Sequence, residues 1–238
     1  MAVPALETAE LEVVDLETTS VRDFNKRLHD LAAGVSGPRR FRLLNPNGAH
    51  ALACGLDAEL EVEIDGHVGY YCAGMNKLAT VRVHGNASTG VAENLMSGLV
   101  VVEGNASQSA GATGRGGLLV VRGDASSRCG ISMKGIDIVV GGSVGHMSAF
   151  MAQTGCLVVC GDAGEALGDS LYETRLYVCG SVASLGADCV EKELREEHLT
   201  QLAGLLDAAV IDAEPRDFRR YGSARQLYNF KIDNAGAY

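Results

Sequence analysis

The sequence predicts an all-β fold: a right-handed parallel β-helix of about seven 19-residue turns with a small α/β N-terminal cap and a C-terminal helix. Two residue types flank a repeated glycine at fixed distances. An aliphatic residue stands two and four positions before it, which is strand periodicity, and Ala or Val stands two positions after it. The glycine itself recurs every 19 residues, at Gly66, Gly85, Gly104, Gly123, Gly142, Gly161 and Gly180.

Each turn holds too few apolar residues to bury a core alone, so the turns have to stack, each strand pairing in parallel with its copy in the next turn. Seven such turns extend about 34 Å, and right-handed crossovers are expected. We expect positive φ at each repeat glycine, and we expect the polar residue that follows it, such as Asn105, to hydrogen-bond the turning backbone.

Residues 1–58 are predicted to cap the first turn, because an uncovered solenoid end is an edge that recruits other chains. Ser20 has the sequence features of a helix N-cap, and the apolar residues that follow it lie on one helical face. The expected elements are a strand at 11–16, a helix from Ser20 to about Ala33, a strand at 41–44 and another at 49–54.

The repeat is predicted to occupy residues 59–190, followed by a C-terminal helix and tail at 191–238. The helix is expected to begin near Val190 and to continue through four leucines to about Val210. The last segment mixes arginine with aromatic residues and has two interpretations, a strand packed back on the body or an arm that docks on another subunit. Its residues are Arg219, Arg220, Tyr221, Arg225, Tyr228 and Phe230.

Outward-facing positions three residues before the repeat glycines form an apolar ribbon. The first two positions are charged, but the next five are Val101, Val120, Val139, Val158 and Tyr177. Because a soluble monomer rarely exposes a contiguous apolar patch of this kind, either a terminal segment of the chain or a partner protein has to cover it. Both alternatives make the ribbon an interface.

Two cations are predicted to be neighbours on adjacent turns, since Arg115 and Lys134 both stand eleven residues after a repeat glycine. Stacked cations repel unless an anion lies between them. The corner is therefore solvated or acid-paired, or it contacts an acidic group on a partner subunit. Asp169 and Asp188 stack in the same way and are expected to cap turns rather than to perform acid–base chemistry.

No catalytic, cofactor-binding or metal-binding residue is predicted in this chain. Cys160 and Cys179 fall in register with Cys156 nearby, which is short of the four ligands of a structural metal site. An odd number of cysteines, seven, indicates reduced thiols in the cytoplasm. The net charge of −10 argues against nucleic acid or an anionic membrane as partner, and no apolar run is long enough to span a bilayer.

Several turns resemble the Gly-x-Gly-x-Gly β-helix domain of glutamate synthases, at residues 104–107, 110–117 and 123–126. More narrowly, residues 68–75, 129–137, 145–151 and 221–225 are similar to the stand-alone glutamate-synthase-like subunit of N-methylglutamate synthase. That resemblance covers most of the chain.

The resemblance implies that this chain joins a glutamine-amidotransferase-like subunit to a synthase subunit that holds FMN and an iron–sulfur cluster, in a hetero-oligomer. The implied enzyme forms N-methylglutamate from glutamate and methylamine and releases ammonia, in bacterial methylamine use. The chemistry belongs to the partners, because Ala2 stands where the amidotransferase nucleophile would be a cysteine and the cluster-binding cysteines are missing.

Two other functions remain open at this point. The same β-helix forms a subunit of formylmethanofuran dehydrogenase and of the related formyltransferase/hydrolase complex. A homo-oligomeric scaffold without enzymatic activity is the third alternative.

Overall fold

The structure, a computed structural model, describes residues 10–226. The elements are β1 (Leu11–Asp15), α1 (Val21–Ala32), β2 (Arg40–Leu44), β3 (Glu61–Ile64), β4 (Thr80–Val83), β5 (Leu99–Val102), β6 (Leu118–Val121), β7 (Lys134–Val140), β8 (Thr154–Val159), β9 (Arg175–Val178), β10 (Cys189–Lys192), α2 (Glu196–Ala209) and β11 (Arg219–Ser223). A 3-10 helix at Pro215–Asp217 lies between α2 and β11. The eleven strands form one sheet in the order β1-β2-β3-β4-β5-β6-β7-β8-β9-β11-β10.

Strands β3 to β9 pair in parallel with the 19-residue offset of the repeat, so that Val100 lies opposite Leu119 and Leu119 opposite Ile138. A second parallel ladder of single bridges joins the residues two positions after each repeat glycine, as at Ala87 and Ala106. The aliphatic side chains before the glycines are fully buried between these ladders. The predicted parallel β-solenoid of about seven turns is confirmed.

The reason for the repeat glycines differs from the prediction. Only Gly66 among them has a positive φ, 138°. A Cβ at Gly123 would lie 2.1 Å from Oδ1 of Asn105, and Gly85, Gly104, Gly142, Gly161 and Gly180 are crowded by the previous turn in the same way. Close approach between turns, rather than backbone conformation, therefore requires glycine here.

The polar residue after each repeat glycine causes this crowding. Its side chain accepts a hydrogen bond from the backbone N–H of the next turn. Oδ1 of Asn86 accepts from the backbone N–H of Asn105 at 2.8 Å, and Oδ1 of Asn105 accepts from that of Asp124 at 2.8 Å. Equivalent bonds continue through Asp124, Ser143 and Asp162. The expectation that these side chains bond turning backbone is correct, and the backbone belongs to the following turn.

Left-handed backbone conformations occur instead five, seven and nine residues after every repeat glycine except the last, Gly180. In the first turn these are Tyr71, Ala73 and Met75, with φ of 61°, 56° and 60°. The same positions of the next five turns also have positive φ, at glycine and non-glycine residues alike. Alanine and methionine carry no sequence signal for this conformation, so the pattern could not be predicted.

The N-terminal segment continues the solenoid. Ser20 caps α1 as predicted, its Oγ accepting from Asp23 N at 3.0 Å, and Phe24 and Leu28 are buried in the solenoid core. Strands β1 and β2 pair in parallel and extend the sheet beyond β3. The strand predicted at 49–54 is absent and turns replace it. The side chain of Asn25 holds them, bonding Ala51 O at 2.7 Å and the N–H of residue 53 at 2.9 Å.

The C-terminal segment closes the other end. Residues from Val190, predicted as the start of the helix, form β10, and α2 begins at Glu196. β11 returns antiparallel and pairs with both β9 and β10. The partner strand of β10 lies about thirty residues further along the chain, so the local sequence could not indicate it. No helix in residues 10–226 is both long and apolar enough to cross a bilayer.

Candidate functional site

The apolar ribbon is covered by the chain itself. Val101, Val120, Val139, Val158 and Tyr177 are all buried, and they form one cluster with Leu202, Leu206, Ala209 and Phe218. Arg122 Nη1 donates to the carbonyl oxygens of Ala209 and Val210, which satisfies the last carbonyls of α2. Of the two coverings considered, the structure has the C-terminal segment, so the ribbon is an intramolecular interface.

The arginine-rich tail likewise packs on the body of the molecule. Arg219 Nη2 donates to Gly180 O at 2.6 Å, and Arg220 Nη1 donates to Glu193 O at 2.9 Å. Tyr221 is buried, and Arg225 Nη2 lies 2.7 and 2.8 Å from the two carboxylate oxygens of Glu173. These residues form a packed strand rather than a free docking arm. Tyr228 and Phe230 lie outside the described residues.

The stacked aspartates cap turns, as expected. Asp169 Oδ2 accepts from the backbone N–H of Ala187 at 3.1 Å. Asp188 accepts from Ser223 Oγ at 2.6 Å and from the N–H of Gln226 at 2.9 Å. Both carboxylates are thus engaged in holding the last turn and β11.

The cysteines are free thiols that are buried or partly buried. Desolvation raises the pKa of Cys129 and Cys156 to about 12, and that of Cys160 to about 11. These thiols are protonated at neutral pH and are poor metal ligands. In the described part of the chain no three His, Cys, Asp or Glu side chains group closely enough to hold a metal ion.

Arg115 and Lys134 lie on adjacent turns of one exposed corner, with Lys134 N donating to the carbonyl of residue 114 at 2.7 Å. Neither side chain has an ion pair with any residue between 10 and 226. Large apolar side chains are exposed at the same corner. We call this surface the exposed corner, and its residues are Met75, Leu78, Met96, Arg115, Lys134 and Met151.

Two exposed tyrosines precede Met75 in the same turn. Tyr70 stacks on His50 with ring centroids 4.5 Å apart, and Tyr71 contacts Tyr70 edge-on at 6.4 Å. Both tyrosines are about half exposed. Tyrosine and methionine are enriched at protein interfaces, so this part of the surface has the composition of a docking site.

A cleft of about 890 Å³ opens where α2 and β11 meet the last turns of the solenoid. Sequence reasoning missed it, because its lining residues come from segments that only the fold of β11 and α2 brings together. The lining residues are Asp137, Thr154, Gly155, Cys156, Tyr172, Glu173, Thr174, Arg175, Lys192, Arg195, Glu197, His198, Gln201, Arg220, Gly222, Ser223 and Arg225.

Gln201 organises the floor of this cleft. Its Oε1 accepts from Arg175 Nη1 at 2.7 Å and from the Tyr177 hydroxyl at 3.0 Å. Burial raises the pKa of Tyr177 to about 12, so the phenol remains a donor. Nδ1 of His198 accepts from the N–H of Arg195 at 3.1 Å, and burial together with the charge of Arg220 lowers the His198 pKa. The histidine is therefore neutral, with its proton on Nε2.

Stacked parallel turns, with an apolar outer ribbon that the C-terminal segment covers, define a parallel β-helix protein. The chain is 64% identical over 229 residues to Protein GlxC of Rhizobium meliloti (strain 1021), an alignment that covers 96% of this chain and 100% of that protein. The chain belongs to the family of Protein GlxC. No family model matches the sequence, and no solved structure matches the chain.

Proposed function

We propose that this chain is the non-catalytic β-helix subunit of a glutamate-synthase-like enzyme, and more narrowly of an N-methylglutamate synthase. In that role it joins a glutamine-amidotransferase-like subunit to a synthase subunit that binds FMN and an iron–sulfur cluster. The reaction would convert glutamate and methylamine to N-methylglutamate and ammonia. Membership of the GlxC family is consistent with a subunit of this class.

The exposed corner, together with the two exposed tyrosines that precede Met75, is the observation that carries the proposal. Within the segment 68–75, Cys72 and Ala73 are buried and serve the core, whereas Tyr70, Tyr71 and Met75 are exposed. Core packing explains the first group, whereas about half of each side chain in the second group is left exposed in the isolated chain. Since the segment carries the resemblance to the N-methylglutamate synthase subunit, its exposed members support contact with a partner.

The segment 145–151, which also carries the resemblance, has an exposed residue at the equivalent position four turns further along. Met151 is exposed and stands nine residues after a repeat glycine, as Met75 does in the first turn. Arg115 and Lys134 lie between them on the same corner. An apolar surface with two unpaired cations at its centre suits a partner surface that presents apolar residues around an acidic group.

Affinity purification of the tagged full chain from its native cells tests the proposal, with mass spectrometry and an absorption spectrum of the eluate. We expect an amidotransferase-like and a flavin-containing subunit, a yellow-brown colour, and methylamine-dependent formation of N-methylglutamate. Amidohydrolase-like and formyltransferase partners without flavin would instead assign the chain to a formyl-transfer complex. Recovery of the chain alone, as a homo-oligomer, would identify a scaffold and refute the proposal.

A further inference from the structure

We propose that the cleft between α2, β11 and the last turns binds a small oxyanion, a carboxylate or phosphate group on a metabolite-sized molecule, with Arg175, Arg220 and Thr174 as its donors. This site is separate from the exposed corner, and the inference does not depend on the proposed function.

Buried donors without acceptors are the first argument. Thr174 is only 2% exposed and lines the cleft, yet its hydroxyl has no hydrogen-bond partner among the described residues. Arg220 Nε is also buried and has no partner within residues 10–226. Buried polar groups in native proteins are nearly always hydrogen-bonded. Two such groups on one cleft indicate that an acceptor from outside the chain completes them.

The charge of the cleft is the second argument. Arg175, Lys192 and Arg220 have no carboxylate within ion-pair distance in the described part of the chain, whereas Arg195 and Arg225 are paired with glutamates. Burial and repulsion from Arg175 and Arg195 lower the pKa of Arg220. A chain with a net charge of −10 has thus gathered unpaired cations in one cavity, and a bound anion would relieve their repulsion.

Neighbouring hydrogen-bond acceptors hold the guanidinium groups of Arg175 and Arg220 in place. Arg220 is anchored through Nη1 on Glu193 O, and Arg175 through Nη1 on Gln201, so each guanidinium has other N–H groups available. A guanidinium fork matches the planar geometry of a carboxylate and also suits phosphate oxygens. The volume of about 890 Å³ lies in the range of small-molecule sites rather than of protein grooves.

Acidic residues that line the cleft limit the negative charge that its ligand can carry. Glu173 is neutralised by Arg225, and Asp137 accepts from the N–H of Cys156 at 2.9 Å. Glu197 lies 3.5 Å from Nε2 of the neutral His198. Because these carboxylates remain beside the cations, the site favours a molecule with one or two negative charges over a polyanion.

Calorimetric titration of the isolated full chain at low ionic strength tests the inference with three probes. Succinate carries the carboxylates, inorganic phosphate represents the other oxyanion, and succinamide is the uncharged match for succinate. We expect saturable binding of succinate, of phosphate or of both, with succinamide inert. The probe that binds more tightly identifies which oxyanion the natural ligand carries.

Variants locate the binding. Arg220→Gln and Arg175→Gln are each expected to raise the dissociation constant about 10-fold or more, because each removes a charge-assisted hydrogen bond. Thr174→Val should raise the dissociation constant by a smaller factor, and Arg128→Gln, outside the cleft, should leave it unchanged. Thermal melting shows whether each variant is folded, and the exposed Arg175 is the safer substitution if Arg220→Gln unfolds the chain.

Three results would overturn the inference: no saturable binding of either oxyanion, equal binding of succinamide and succinate, or unchanged affinity in folded Arg175→Gln. Since no partner subunit takes part in the titration, failure here leaves the proposed function standing. Failure of co-purification, in turn, leaves the anion site standing.

Discussion

Oδ1 of Asn105 accepts a hydrogen bond from the backbone N–H of Asp124 at 2.8 Å, although the two residues are separated by a full turn. The same oxygen would lie 2.1 Å from a Cβ placed on Gly123. Asn105 therefore bonds the next turn only because the residue before Asp124 has no side chain. The repeat glycine and the polar residue of the previous turn therefore act together: the glycine makes room for the side chain that bonds the backbone beside it.

Gly123→Ala is consequently expected to lower the free energy of unfolding by about 2–4 kcal/mol, because the methyl group would displace the Asn105 side chain and leave backbone unsatisfied. Urea denaturation followed by circular dichroism measures this. Gly204→Ala is the matched control, since a Cβ there meets nothing within 4 Å and the residue lies in α2. It should be neutral or stabilising by up to about 1 kcal/mol. Equal stability of both variants would contradict the role given to Gly123.

Val120→Lys should destabilise the folded chain by at least about 4 kcal/mol, because the ammonium group would be buried beneath α2 without a partner. Thermal melting of the isolated chain is the measurement. Val35→Lys, at a position that is 55% exposed, is expected to change stability by less than about 0.5 kcal/mol. A normal melting temperature for Val120→Lys would show that α2 does not cover the ribbon.

The double variant Arg115→Glu/Lys134→Glu is expected to fold normally and to lose its partners in pull-down experiments, because it reverses the charge of the exposed corner. Arg22→Glu/Arg39→Glu makes the same change of charge in the N-terminal segment, away from the exposed corner, and should leave co-purification intact. Retained partners in the first variant would remove Arg115 and Lys134 from the proposed interface.

Stability should fall at alkaline pH. In the folded chain burial raises the pKa of Cys156 to about 12 from an ordinary value of 9.0. Above pH 9 the unfolded thiol loses its proton while the folded thiol keeps it, so the stabilisation present below pH 9 is lost as the pH rises toward 12. At pH 10 the loss is about 1.4 kcal/mol for each such thiol.

Urea denaturation at pH 7.5 and pH 10 measures this difference. Cys156→Ala removes one of the titrating thiols, so its loss of stability between the two pH values should be smaller than that of the unmodified chain by about the amount given for one thiol. An identical pH dependence in both proteins would mean that Cys156 is not protected from ionisation.

The solenoid could be predicted because its information is local and repeated. Val100 and Val102 stand in fixed phase to Gly104, and the same phase recurs in each turn. Stacking then follows from the small number of apolar residues in a turn. The apolar ribbon was also visible, although the sequence left open whether α2 or a partner covers it.

The cleft could not be predicted, because its chemistry is distributed over distant segments. Thr174 directly precedes β9 and Arg220 lies in β11. Gln201 reaches Arg175 and Tyr177 only because α2 crosses the ribbon. The antiparallel insertion of β11 between β9 and β10 has no local signature. Pairing between segments so far apart depends on tertiary packing, which a single sequence does not specify.

The length of α2 has a consequence for how this fold can vary. Its 14 residues extend about 21 Å along the helix axis, and four strand spacings, from Val101 to Tyr177, amount to about 19 Å. Gln201 contacts Tyr177 near one end of the ribbon, and Ala209 contacts Arg122 toward the other. Duplication of one solenoid turn would leave one ribbon valine exposed to solvent. Deletion of one solenoid turn would leave one turn of α2 without a ribbon residue to pack against. We therefore expect that a gain or loss of one repeat in this fold requires a matching change in the length of the helix.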